Sequence, residues 1–236
     1  MKILKLYIKE LKENYNWMMF SLLAVIAFDI FLLLRIPSMQ KGSATVLSLL
    51  TFVVLLVLMF VKGYRIIKRE WDWNTKEFLL TLPLNGFEIA LAMTLELITE
   101  AMLYTLVATG LFLLILSRDL SGIKHNFALP LFLVIFSYFV FTGVYAVFIE
   151  TFSLTLRKWR KTIGFMVFVI LTYGLAKLTN LLKPVMEKLP SFKVTIDYMG
   201  QITFQHINMG SFILPLIYTV LLYICLSLLI DKKMEV

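Results

Sequence analysis

The chain is poor in everything a soluble enzyme or a disulfide-stapled secreted domain relies on. Of 236 residues, 16% are charged, one is cysteine and two are histidine. The lone Cys225 excludes an internal disulfide and leaves the redox compartment unread. His125 and His206 have no cysteine or second histidine near them in sequence, so no zinc-type ligand spacing exists. There is no Gly-x-x-x-x-Gly-Lys-Ser/Thr phosphate loop, no His-Glu-x-x-His and no Gly-x-Ser-x-Gly. The expectation is a chain that is not an enzyme and carries no cofactor of its own. An internal repeat and low-complexity segments are also missing, and Met1 leads into a charged amphipathic stretch that does not read as a signal peptide.

What is present is hydrocarbon. Apolar residues make up 60% of the chain, more than a soluble domain can bury. A span needs roughly 20 mostly apolar residues, and six segments qualify: 17–36, 44–61, 89–116, 127–156, 163–182 and 211–230. Backbone groups in lipid must be paired internally, so these runs predict helices. The fold class expected is an all-α membrane protein, one domain over 1–236 with six transmembrane helices. Residues 2–16 place Ile3, Leu4, Tyr7, Ile8, Leu11 and Tyr15 at helical spacing, with Lys2, Lys5, Lys9 and Lys12 largely opposite. That pattern predicts an interfacial helix over 1–16 lying on the inner leaflet. Residues 183–209 form the one sizeable outer segment.

The net charge of +8 is distributed as topology, which argues against nucleic acid as a partner. With the N-terminus in the cytosol, 15 of the 23 basic residues fall inside, among them Lys62, Arg65, Lys68, Arg157 and Lys158. This asymmetry predicts both termini in the cytosol of a plasma (cytoplasmic) membrane protein, with anionic lipid headgroups as the charge partner.

Between spans two and three runs Glu70-Trp71-Asp72-Trp73-Asn74-Thr75-Lys76-Glu77-Phe78-Leu79-Leu80-Thr81-Leu82-Pro83-Leu84, followed by Asn85-Gly86-Phe87-Glu88-Ile89. Charged and aromatic residues come first, then leucines, then a proline break, as in a surface helix with one apolar face. The pattern resembles the coupling region of ABC-2 type permeases, the membrane subunits of ATP-driven exporters. Glu70, Thr75, Glu77, Leu79, Leu80, Thr81, Leu82, Pro83, Glu88 and Ile89 match it. Asn74, Asn85-Gly86 and Ala92-Met93 depart from it. The resemblance implies a cytosolic coupling helix in the hairpin 70–84 that docks a separate ATPase subunit. Contact would run through Trp71, Trp73, Phe78 and Leu79, with Glu70, Asp72 and Glu77 as polar partners, since large aromatics anchor such interfaces. It further implies ATP and magnesium on that partner, a second permease copy (identical or different), and short re-entrant or surface helices in 183–209.

Acids inside apolar runs are costly and call for an explanation. Glu96 and Glu100 share one face of span three, Glu100 about 16 Å from Ile89. Asp29 and Glu150 fall inside spans one and four. Lys177 is the basic residue that the span boundaries leave well inside. One reading puts Asp29, Glu96, Glu100 and Glu150 on a translocation path for a hydrophobic or amphipathic cargo, such as a peptide. The other has them hydrogen-bonded between helices. Alternatives to the exporter are a proton-coupled secondary transporter working through Glu96 and Glu100, and a non-transporting immunity or sensor protein.

Overall fold

The computed structural model describes residues 2–72, 85–120, 127–155, 160–198 and 201–234. Six long helices dominate: α1 (Lys2–Arg35), α2 (Ser43–Asp72), α3 (Gly86–Asp119), α4 (Ala128–Thr155), α5 (Arg160–Met186) and α6 (Gly210–Met234). Each is long and apolar enough to cross a membrane, so the chain is built as a multi-pass membrane protein.

Residues 2–16 and the first span form a single helix with no break at Trp17. Nothing between Lys2 and Arg35 could interrupt it, since that stretch holds neither proline nor glycine. At ~1.5 Å per residue α1 is about 51 Å long, well over the ~30 Å of hydrocarbon. Its N-terminal turns pack on α3: Leu6 is buried, and the Tyr7 hydroxyl lies 2.8 Å from Thr99 Oγ1.

The segment before the last span corrects the expected short helices. It is an antiparallel hairpin, β1 (Ser191–Tyr198) on β2 (Gln201–Asn208), with Ser191 opposite Asn208 and Tyr198 opposite Gln201. Phe192, Val194, Ile196 and Tyr198 alternate with Ser191, Lys193, Thr195 and Asp197. That period of two, with three β-branched residues, suits a strand and gives a helix no continuous face.

α3 is the central element, packed against α1, α2, α4 and α6. Ala90, Ala92, Ala101 and Ala108 are fully or almost fully buried, and such small side chains let neighbouring backbones close in. α2 and α4 come nearest at Gly63 and Gly143: a Cβ on Gly63 would collide with the Gly143 carbonyl oxygen. α5 is peripheral, with no buried residue in its most apolar stretch.

Both ends of α3 are tied down by polar groups. At its start Asn85 caps the helix: Glu88 N donates to Asn85 Oδ1 (2.8 Å) and Asn85 N donates to Glu88 Oε2 (3.0 Å). Gly86 N donates to Asp231 Oδ1 on α6. A Cβ at Gly86 would run into Ser227 and Asp231, which gives a packing reason for glycine there. At the other end Asp119 serves the first turn of α2. Its Oδ1 accepts from Gly42 N (3.0 Å), and its Oδ2 accepts from Thr45 N (2.9 Å) and Thr45 Oγ1 (2.8 Å). An anion at a helix N-terminus satisfies orphan amides and the helix dipole together. Gly42, at φ +86°, supplies the left-handed residue this turn needs.

Candidate functional site: a buried lysine between two glutamates

Glu96 and Glu100 stand one helical turn apart on the α3 face that meets α1 and α2, and both are buried. Between them lies Lys62 of α2, its Nζ 2.7 Å from Glu96 Oε1 and 2.8 Å from Glu100 Oε2. Asn14 Nδ2 of α1 donates to Glu96 Oε1 at 2.7 Å and to the Glu10 carbonyl at 3.0 Å. Tyr104 donates its hydroxyl to Glu100 Oε1 at 2.7 Å and is itself hydrogen-bonded to Ser21 Oγ on α1. One connected polar network therefore joins three helices in the middle of an apolar core. Glu96 Oε2 has no hydrogen-bond partner among the described residues.

The span boundaries drawn from the apolar runs missed Lys62. By hydropathy the run stops at Val61, which makes Lys62 the first residue of a basic cytosolic end. In the structure Lys62 is 3% exposed and the core continues beyond it through Ile66 and Ile67, both buried. The signal was periodic: Met59, Lys62, Gly63, Ile66 and Ile67 recur at helical spacing, so Lys62 belongs to the buried stripe. A basic residue thus sits inside a span besides Lys177, whose Nζ lies 5.2 Å from the Tyr173 ring centre. Burying an ammonium costs several kcal/mol, and two carboxylates at hydrogen-bond distance offset that cost.

The other intramembrane acids stand apart from this network. Asp29 is buried and accepts from Thr51 Oγ1 at 2.9 Å. Thr51 lies eleven residues before Lys62 on α2, about 16 Å along the axis. Glu150, on α4, accepts from Ser153 Oγ at 3.0 Å. Of the hairpin residues, Glu70, Trp71 and Asp72 close α2, while Trp73, Glu77, Phe78 and Leu79 lie outside the described residues. Among the described residues no cluster of three or more His, Cys, Asp or Glu could hold a metal ion. No family model, curated protein or solved structure matches the chain.

Proposed function

We propose that the chain is the membrane-spanning subunit of an ATP-binding-cassette exporter in the cytoplasmic membrane, with both termini in the cytosol. It would work beside a second permease copy and move a hydrophobic or amphipathic cargo outward. Nucleotide hydrolysis would take place on a separate ATPase docked at hairpin 70–84. The observation that carries this reading is the residue pattern of that hairpin, set between two helices that a buried ion-pair network joins. α3 starts two residues after the hairpin and runs unbroken for 34 residues. Its Glu96 and Glu100 bind Lys62 of α2, the helix that enters the hairpin. A push at the hairpin would therefore reach α2 and α3 as one body, and α1 through Asn14 and Ser21. Glu96 and Glu100 serve this reading as the joint of the lever, and cargo would travel at the seam between two copies.

The test is co-purification. A Trp73→Ala/Phe78→Ala variant should lose its cytosolic ATPase in a detergent pull-down and keep the melting temperature of the wild-type chain. Full retention of the ATPase by that variant would remove the docking assignment.

A further inference from the structure

The hairpin β1–β2 belongs to the chain but hardly to the bundle. Each strand packs chiefly on the other, and neither has an extensive contact with a helix. Among the described residues the sheet has two strands, so the outer side of β1 presents backbone N–H and C=O groups that no further strand takes up. An open edge of this kind is not tolerated in hydrocarbon, so the hairpin belongs in water or among headgroups. A two-stranded hairpin is also marginal by itself and gains stability from a further strand. β1 follows α5, the peripheral helix, after four residues, which leaves its edge at the rim of the bundle, where another chain can reach it.

We propose that the outer edge of β1 pairs antiparallel with β1 of a second, identical copy, giving a continuous four-stranded sheet about a two-fold axis at Thr195. The sequence of the strand selects this occupant. With Thr195 on the axis, the opposed positions are Lys193 with Asp197, Val194 with Ile196 and Phe192 with Tyr198 of the second copy. Opposite charges meet, a β-branched residue meets a β-branched one, and an aromatic meets an aromatic, each a favourable cross-strand pair. The symmetry makes every one of these pairs occur twice. A neighbouring register loses the charge match. With the axis at Val194, Lys193 falls opposite Thr195, and with the axis at Ile196, Asp197 falls opposite Thr195. β2 holds no Asp, Glu, Lys or Arg, so no register of that strand on itself brings opposite charges together. The charge pattern of β1 is therefore complementary to β1. This contact gives the second copy of the exporter reading an identity and a place, yet it stands or falls without the ATPase.

The experiment is cysteine cross-linking of the full-length chain in native membranes, in a Cys225→Ala background. The two-fold axis sets Thr195 against itself at about 4.5–5.5 Å between Cα atoms, within reach of a disulfide. Oxidation with copper phenanthroline should therefore convert the Thr195→Cys chain into a covalent dimer. Thr203, on β2 opposite Ile196, would lie three strand spacings, about 14 Å, from its symmetry mate, so Thr203→Cys should stay monomeric. Lys193→Glu in the Thr195→Cys chain turns two attractive pairs into two repulsive ones and should slow dimer formation on the order of tenfold. Lys193→Glu/Asp197→Lys exchanges the two charges and should restore the rate, which a merely damaged hairpin would not do. Five results would each overturn the proposal: no Thr195→Cys dimer, equal cross-linking at Thr203→Cys, a cross-link to a protein of different mass, no response to Lys193→Glu, or no recovery in the exchanged pair.

Discussion

An ammonium group loses its hydration when it enters a helix bundle, and Lys62 tolerates this only because Glu96 and Glu100 face it at 2.7 and 2.8 Å. Removing the cation alone strands two carboxylates against each other in an apolar core. Lys62→Met should therefore destabilise the chain by about 3–5 kcal/mol, the usual cost of breaking a buried pair from one side. The triple variant Lys62→Met/Glu96→Gln/Glu100→Gln removes every charge at the site and keeps hydrogen-bonding groups for Asn14 and Tyr104. Its melting temperature in detergent should recover most of that loss. A triple variant no more stable than Lys62→Met would show that the two glutamates do not depend on the lysine. On the exporter reading, the recovered triple variant should also uncouple ATP hydrolysis from transport, since the charges joining α2 to α3 are gone.

At the scale of the element, α3 and α5 are opposites. α3 is surrounded by other helices and fastened at both ends by Asn85, Asp231 and Asp119. α5 buries no residue in its most apolar stretch; Val167, Leu171 and Leu175 pack against the core, and hydroxyls of its neighbours bond to the backbone carbonyls of Phe168 and Leu175. Such interhelical bonds are worth roughly 0.6 kcal/mol each in membrane bundles. Tyr145→Phe/Tyr218→Phe keeps both rings and deletes both hydroxyls, so the expected loss is only about 1 kcal/mol. That loss should be local. Hydrogen–deuterium exchange should rise in α5 and stay at the wild-type level in α3, because regions with few buried contacts open first. Uniform exchange changes across both helices would argue that α5 is part of the same cooperative core.

At the scale of the molecule, the arrangement of the termini follows from the proposed topology of six spans with both ends inside. In a Cys225→Ala background, single cysteines at Ser43 and Ser191 should react with an impermeant reagent in intact cells. A cysteine at Thr75 should react only after the membrane is opened. Labelling of Thr75→Cys in intact cells would invert the topology and place the hairpin beyond reach of a cytosolic ATPase.

The six apolar spans were legible in the sequence, because length and hydropathy are local quantities and hydrocarbon demands continuous helices, whereas α1 and α2 run 15 and 11 residues past the expected limits of their spans. The pairing of Glu96 with Glu100 was legible for the same reason, since i and i+4 share a face on any helix. Their partner was not. Lys62 lies 34 residues before Glu96 and belongs to another helix, so only the close approach of α2 to α3 and α4, allowed by Gly63 and Gly143, decides that its amine ends between the carboxylates. The same holds for Asp119, which reads as the polar end of a span and becomes the cap of α2 once the two ends meet. Local chemistry determined the helices. Long-range packing decided which buried charges face one another, because that choice depends on distances no run of residues contains.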